Sequence, residues 1–178
     1  MPSSRASRRS PLPVLVTAIV AACAPALFAA DPVINTSDDI RIAPQIMVGT
    51  AGFEPGVALE YRPTSLTGWN FRPEVFLSED VRVGAGLAAL YDFSPSFSLP
   101  ADQRIEVGPR AVYHNSDHNG WEGDAMAEYA YSLDNAPKPF THTVGLLGDL
   151  GIREHKDDGG DKKLELGASI GAFYSYRF

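Results

Sequence analysis

Three side chains in one short stretch have the types that acyl transfer needs. His114 and Ser116 stand two apart in VYHNSDHNG, and Glu128 follows twelve residues after the serine. A hydroxyl nucleophile, an imidazole base and a carboxylate to orient the base are the parts of ester hydrolysis. The same stretch offers a second chemistry. His114, Asp117, His118, Glu122 and Asp124 are nitrogen and oxygen donors of the kind that hold zinc. Their spacing follows no strong ligand template, and a solvated polar loop accounts for them without an ion, so no metal and no cofactor is expected. In HKDDGGDKK, Asp157, Asp158 and Asp161 surround two glycines. The spacing and closing glutamate of an EF-hand are missing, and the run reads as a charged surface loop that meets divalent cations at most weakly.

Whatever these residues do, something must position them. The chain is of single-domain length, acidic and moderately apolar, which suits a folded protein. Residues 1–30 read as a secretory signal peptide: Arg5, Arg8 and Arg9, then an apolar run shorter than a membrane-spanning helix, closed by small residues. Val20-Ala21-Ala22-Cys23 also resembles a lipobox. The leader holds three of the fifteen basic residues and no acidic one, so residues 31–178 carry twelve against twenty-two, a net charge of −10. That balance argues against nucleic acid as a partner, because phosphate binding needs a basic face. Cys23 is the single cysteine, so the mature domain has neither a disulfide nor thiol chemistry.

Beyond the leader the pattern is period-two alternation, the mark of strands with two unlike faces. Eight runs are expected at 40–48, 57–62, 69–77, 81–93, 104–113, 124–133, 143–153 and 164–178. The outward loops fall at 49–56, 78–80, 114–123 and 154–163, and the opposite turns at 63–68, 92–103 and 133–141. One face collects the apolar and aromatic residues. The other is polar, small or charged: Arg41, Glu60, Arg72, Glu74, Arg82, Glu106, Arg110, Glu128, Asp149, Arg153 and Glu165 share it with many glycines. Aromatics gather at strand ends, with Trp69, Phe71, Tyr91, Phe93, Tyr131, Tyr176 and Phe178 suited to a membrane interface.

A transmembrane β-barrel has this arrangement, apolar outside and polar inside. The expected fold is therefore all-β, an eight-stranded antiparallel transmembrane barrel with a polar interior. Eight strands enclose just enough room for side chains, so the interior charges should pair. Hairpin counting sets Arg110 roughly opposite Glu128 and Arg153 roughly opposite Glu165.

The leader, the eight alternating runs and the ending Tyr176-Arg177-Phe178 resemble the small bacterial outer-membrane β-barrels. The resemblance implies a bacterial outer-membrane location, with outer-membrane lipids and lipopolysaccharide as surroundings. It also implies recognition of the terminal Phe178 by the barrel-assembly machinery. His114, Ser116 and Glu128 are similar in spacing to the motif of lipid A deacylases of the PagL type. That resemblance implies Ser116 as nucleophile, His114 as base and Glu128 as its partner. Asp117 stands where that motif has asparagine, and strand parity turns His114 and Glu128 away from the lipid. The leading expectation is thus a structural, surface-binding or interaction protein without catalytic activity. A lipid A deacylase-like hydrolase, a narrow porin and a soluble periplasmic barrel with its apolar face inward are the alternatives.

Overall fold

The computed structural model describes residues 39–50, 52–77, 83–114, 120–134, 140–156 and 162–178. The expected leader, Cys23, Arg82, Ser116, Asp117, His118 and the acidic run at 157–161 lie outside them.

Eight antiparallel strands close into a barrel in chain order. They are β1 (Asp39–Gly49), β2 (Gly52–Arg62), β3 (Trp69–Leu77), β4 (Val83–Asp92), β5 (Gln103–His114), β6 (Gly120–Ser132), β7 (His142–Lys156) and β8 (Lys162–Arg177). All eight expected runs are strands. The main differences are at the hairpin ends. Gly52 to Gly56 belongs to β2, with Gly49 opposite Gly52, and Gly120 to Gly123 belongs to β6. Proline and glycine made these stretches look like loop, yet Phe53 and Trp121 face out while Glu54 and Glu122 face in, so the alternation simply continues.

The strand register fixes the shape of the barrel. From Ala43, partners lead through Ala58, Glu74, Gly86, Val112, Glu122 and Arg153 to Glu165 on β8. The direct β1–β8 pairing, which sets Gln45 against Phe173, puts position 175 beside Ala43, so one circuit is staggered by ten residues. With strands rising ~3.3 Å per residue and spaced ~4.8 Å apart, this stagger tilts them by roughly 40°. Three prolines interrupt the wall on one side only. Register pairs lapse between β1 and β8 at Pro44, between β2 and β3 at Pro73, and between β4 and β5 at Pro109, while the opposite side of each strand stays paired. Proline has no N–H for the ladder.

The polarity of the barrel is inverted. Ile40, Ile42, Ile46, Val57, Leu59, Val75, Leu87, Leu146, Leu150 and Ile170 are exposed on the outer wall, whereas Arg41, Glu60, Arg72, Glu74, Glu106, Arg110, Glu128 and Asp149 are buried inside. The expected face assignment therefore holds. Two inward aromatics rest on glycines of the neighbouring strand: Phe76 opposite Gly84, and Phe173 opposite Gly145. A Cβ on Gly145 would stand 2.3 Å from the Phe173 ring and from the Tyr129 carbonyl. Gly145→Ala is expected to destabilise the barrel by about 1–3 kcal/mol through overpacking. Gly148→Ala, whose Cβ meets nothing nearer than 3.9 Å, should leave stability unchanged. Urea midpoints of the two refolded variants test the contrast.

At the end that holds residues 39 and 178, side-chain hydrogen bonds hold the described residues of the connections. A 3₁₀ turn spans Ser94–Phe97 in the β4–β5 connection. Asp92 Oδ1 accepts hydrogen bonds from the Ser94 amide and hydroxyl, and Ser94 Oγ accepts one from the Ile105 amide. In the β6–β7 connection, Ser132 Oγ accepts from the Asp134 and Phe140 amides. These bonds replace the ladder where the chain leaves the wall, which is why the long stretch SPSFSLPADQ needs no strand of its own.

Candidate functional site

The outer wall offers apolar surface, so polar chemistry is confined to the interior and its mouths. Along the barrel axis the buried charges form a nearly continuous network. At the turn end, Phe140 folds into the mouth, with the Arg104 guanidinium 4.3 Å and the Arg41 guanidinium 5.6 Å from its ring centre. Arg41 is held in turn by Asp39. Above this stopper, Arg62 donates to Glu106 at 2.9 Å and to Glu60 at 3.2 Å, and Asn70 donates to Glu106 at 2.7 Å. Arg72 Nη1 reaches Glu60 at 2.8 Å and Glu128 at 3.0 Å, while its Nη2 donates to Gln45 and its guanidinium stacks 5.1 Å from Phe173. Gln45 passes the network on to Glu74 at 2.7 Å, and Glu74 accepts from Arg110 Nε at 2.6 Å.

Arg110 then leads to the hairpin end. Its Nη1 lies 3.2 Å from both Asp124 and Asp149. Ser169 Oγ donates to Asp149 at 2.6 Å. His114 lies 2.8 Å from Glu122 and 3.4 Å from Glu54.

Several expected pairings are corrected by this geometry. Arg110 stands opposite Asp124, not Glu128, and Glu128 stands opposite Glu106. Strand pairing continues to His114 opposite Gly120, further than a loop at 114–123 allows, and the register is shifted by four residues. Both residues are in interior ion pairs, but with other partners. Arg153 does stand opposite Glu165. This pair is at the hairpin end, where Glu165 is exposed and Arg153 half-buried, and Arg153 donates to Thr50 Oγ1 at 2.9 Å.

His114 and Glu128 are not brought together. His114 is paired at the top of β5 with Glu122, and Glu128 lies eight positions down β6 from Gly120, roughly 26 Å along the strand. The carboxylate beside the histidine is thus Glu122, and with Glu54 it lies in stretches that sequence reading assigned to loops. Continued alternation past Asp124 and Val57 was the signal that could have found both. Asp149 and Ser169, by contrast, stand where the expected inward face puts them.

The expected aromatic set divides by position. Trp69 packs against Phe71 and Tyr91, Tyr91 against Phe93, and Tyr176 against Phe178, with centroids 5.3–6.2 Å apart. These rings and Tyr131 lie toward the turn end. A second group lies at the hairpin end: Tyr113 beside Trp121 at 5.0 Å, with Phe53 also exposed. From Trp121 to Tyr131 is ten residues of β6, roughly 33 Å of strand and, at a tilt of ~40°, about 25 Å of height.

No family model, curated protein or solved structure matches the chain. What the fold and its interior define is a class: a closed eight-stranded antiparallel β-barrel with an apolar exterior and a core of interlocked ion pairs.

Proposed function

We propose that this barrel resides in a bacterial outer membrane as a closed structural or surface-binding protein. One observation carries the reading: an apolar outer belt about 25 Å tall, bounded by aromatic rings at both ends, surrounds buried charges. That height matches the hydrocarbon band of outer-membrane barrels, and water offers no stabilisation for such a belt. Closure of the interior is supported by Phe140 between two guanidinium groups and by Arg72 at 0% exposure among its partners. On this reading lipid and lipopolysaccharide surround the wall, and binding of other partners falls to the hairpin end.

Heating and fractionation test the location. The full chain, expressed in a Gram-negative host, should enter the outer-membrane fraction and migrate differently on a detergent gel before and after boiling. The same protein in planar bilayers should conduct no measurable current. A soluble periplasmic protein without a heat shift would refute the membrane reading, and stable single-channel currents would refute closure. Lipid A that is shortened by the wild type but not by Ser116→Ala would replace this reading with a hydrolase.

A further inference from the structure

The ion pairs do not balance evenly along the barrel. In the lower network, Arg62, Arg72 and Arg104 meet Glu60, Glu106, Glu128 and Asp92. Toward the hairpin end, among the described residues, Arg110 is the one cation within 3.2 Å of Glu74, Asp124 and Asp149, while Glu54 and Glu122 share His114. Arg153 faces Glu122 across the sheet, but its hydrogen bond goes to Thr50 at the rim. Among the described residues, five carboxylates therefore share Arg110, His114 and Arg153 at this end, and buried charge without a counter-charge is costly.

Three of the carboxylates converge. Glu122, Asp124 and Asp149 each present an oxygen within 4.8 Å of the others, and they are only 7%, 1% and 7% exposed. A second, independent feature points to a ligand. Asp124 Oδ1 is buried with no hydrogen-bond partner, although its sister oxygen is held by Arg110. Oδ1 lies directly against the backbone of Gly151, whose cross-strand partner is Gly167. A Cβ on Gly151 would come 2.1 Å from Asp124 Oδ1, and one on Gly167 would come 2.7 Å from Glu122 Oε1. The three acids are also held from behind: Glu122 Oε2 by His114, Asp124 Oδ2 by Arg110, and Asp149 by Arg110 and Ser169. Support of this kind orients metal-ligating carboxylates.

We infer that Glu122, Asp124 and Asp149 form a site for one calcium ion at the hairpin end of the barrel interior. All-oxygen donors select a hard cation. Oxygens bound to one calcium ion stand at most about 5.2 Å apart, and these three lie within 4.8 Å of one another, so the acids need not draw together to receive it. Ser169 Oγ, which donates to Asp149, is a neutral oxygen close by, and water supplies the remaining positions. The ion adds positive charge beside the three acids and ties β6 to β7.

The test uses the full chain folded in detergent micelles, with calcium chloride as the probe. Titration calorimetry should give one calcium per barrel, and the urea midpoint should rise from excess chelator to millimolar calcium. In Asp124→Asn/Asp149→Asn, calcium affinity should fall roughly tenfold or more, comparable to losses at metal sites whose support is removed. This variant also removes two of the acids that pair with Arg110, so the readout is its own difference between chelator and calcium, and the rise in urea midpoint seen for the wild type should be lost. Glu122→Gln, which keeps an oxygen toward His114, serves as the second variant if the double change does not fold. A wild type indifferent to calcium would overturn the inference. So would variants that keep the full calcium response, which would move the ion to another acidic stretch. Equal destabilisation of the variants with and without calcium would mark the acids as structural only and would also overturn it.

Discussion

Arg72→Leu is expected to lower the stability of the folded barrel by about 3–5 kcal/mol, the scale for removing one member of a buried ion cluster. Arg72 is fully enclosed and serves two carboxylates, Glu60 at 2.8 Å and Glu128 at 3.0 Å. Its guanidinium also covers the Phe173 ring and donates to Gln45. Leucine fills part of the volume but leaves Glu128, among the described residues, with the distant Arg62 at 3.9 Å. The destabilisation is thus the desolvation of stranded carboxylates rather than the loss of attraction alone. Equilibrium urea unfolding from lipid vesicles measures it. The companion variant Arg72→Leu/Glu60→Gln/Glu128→Gln should recover most of the loss, since no unpaired charge then remains. A single variant within ~0.5 kcal/mol of the wild type, the range for surface changes, would mean that water reaches the centre of the barrel and that the interior is not closed.

Leu87→Arg carries the second large effect, and it tests the other side of the wall. Leu87 is 55% exposed, between Pro73 and Ala111 on the outer surface. It lies midway along β4, away from both aromatic groups. At a bilayer midplane an arginine on the lipid face costs about 2–4 kcal/mol. In water the same change at an exposed site stays within ~0.5 kcal/mol. Unfolding of the variant from vesicles should therefore show the larger penalty, and Val83→Arg, nearer the hairpin end, a smaller one because the cost falls toward the interface. Equal and negligible effects at both positions would indicate a wall that faces water.

Together the two substitutions separate claims that look alike in a drawing of the barrel. Arg72 reports whether the charges are sealed inside, and Leu87 reports what solvent the outside meets. The calcium site tests neither membrane nor closure below it, since its three carboxylates come from β6 and β7 at the hairpin end.

Alternation was legible without any structure, because side chains on a strand change face at every residue. It was enough to divide Ile42 from Arg41, Val75 from Glu74 and Leu146 from Leu147, and to put the charges on one side. The number of strands followed from the same pattern. Loop composition misled at two places: Pro55 and Gly56 hid the start of β2, and Gly120 with Gly123 hid the start of β6. Both errors removed inward acids, Glu54 and Glu122, from the expected interior.

Partner choice is what only the tertiary structure decided. A side chain's face depends on its own strand, but its contacts inside a barrel depend on hairpin length and on the stagger accumulated around the circuit. A hairpin tip placed differently moved Arg110 from Glu128 to Asp124. Contacts such as Arg62 with Glu106, Arg72 with Glu128 and Arg110 with Asp149 cross the interior between strands that are not neighbours in the sheet. No local pattern encodes them, because they exist only once eight tilted strands have closed on each other. The convergence of Glu122, Asp124 and Asp149 over two glycines is of the same kind: alternation sets each residue inward, and the register alone brings them to one point.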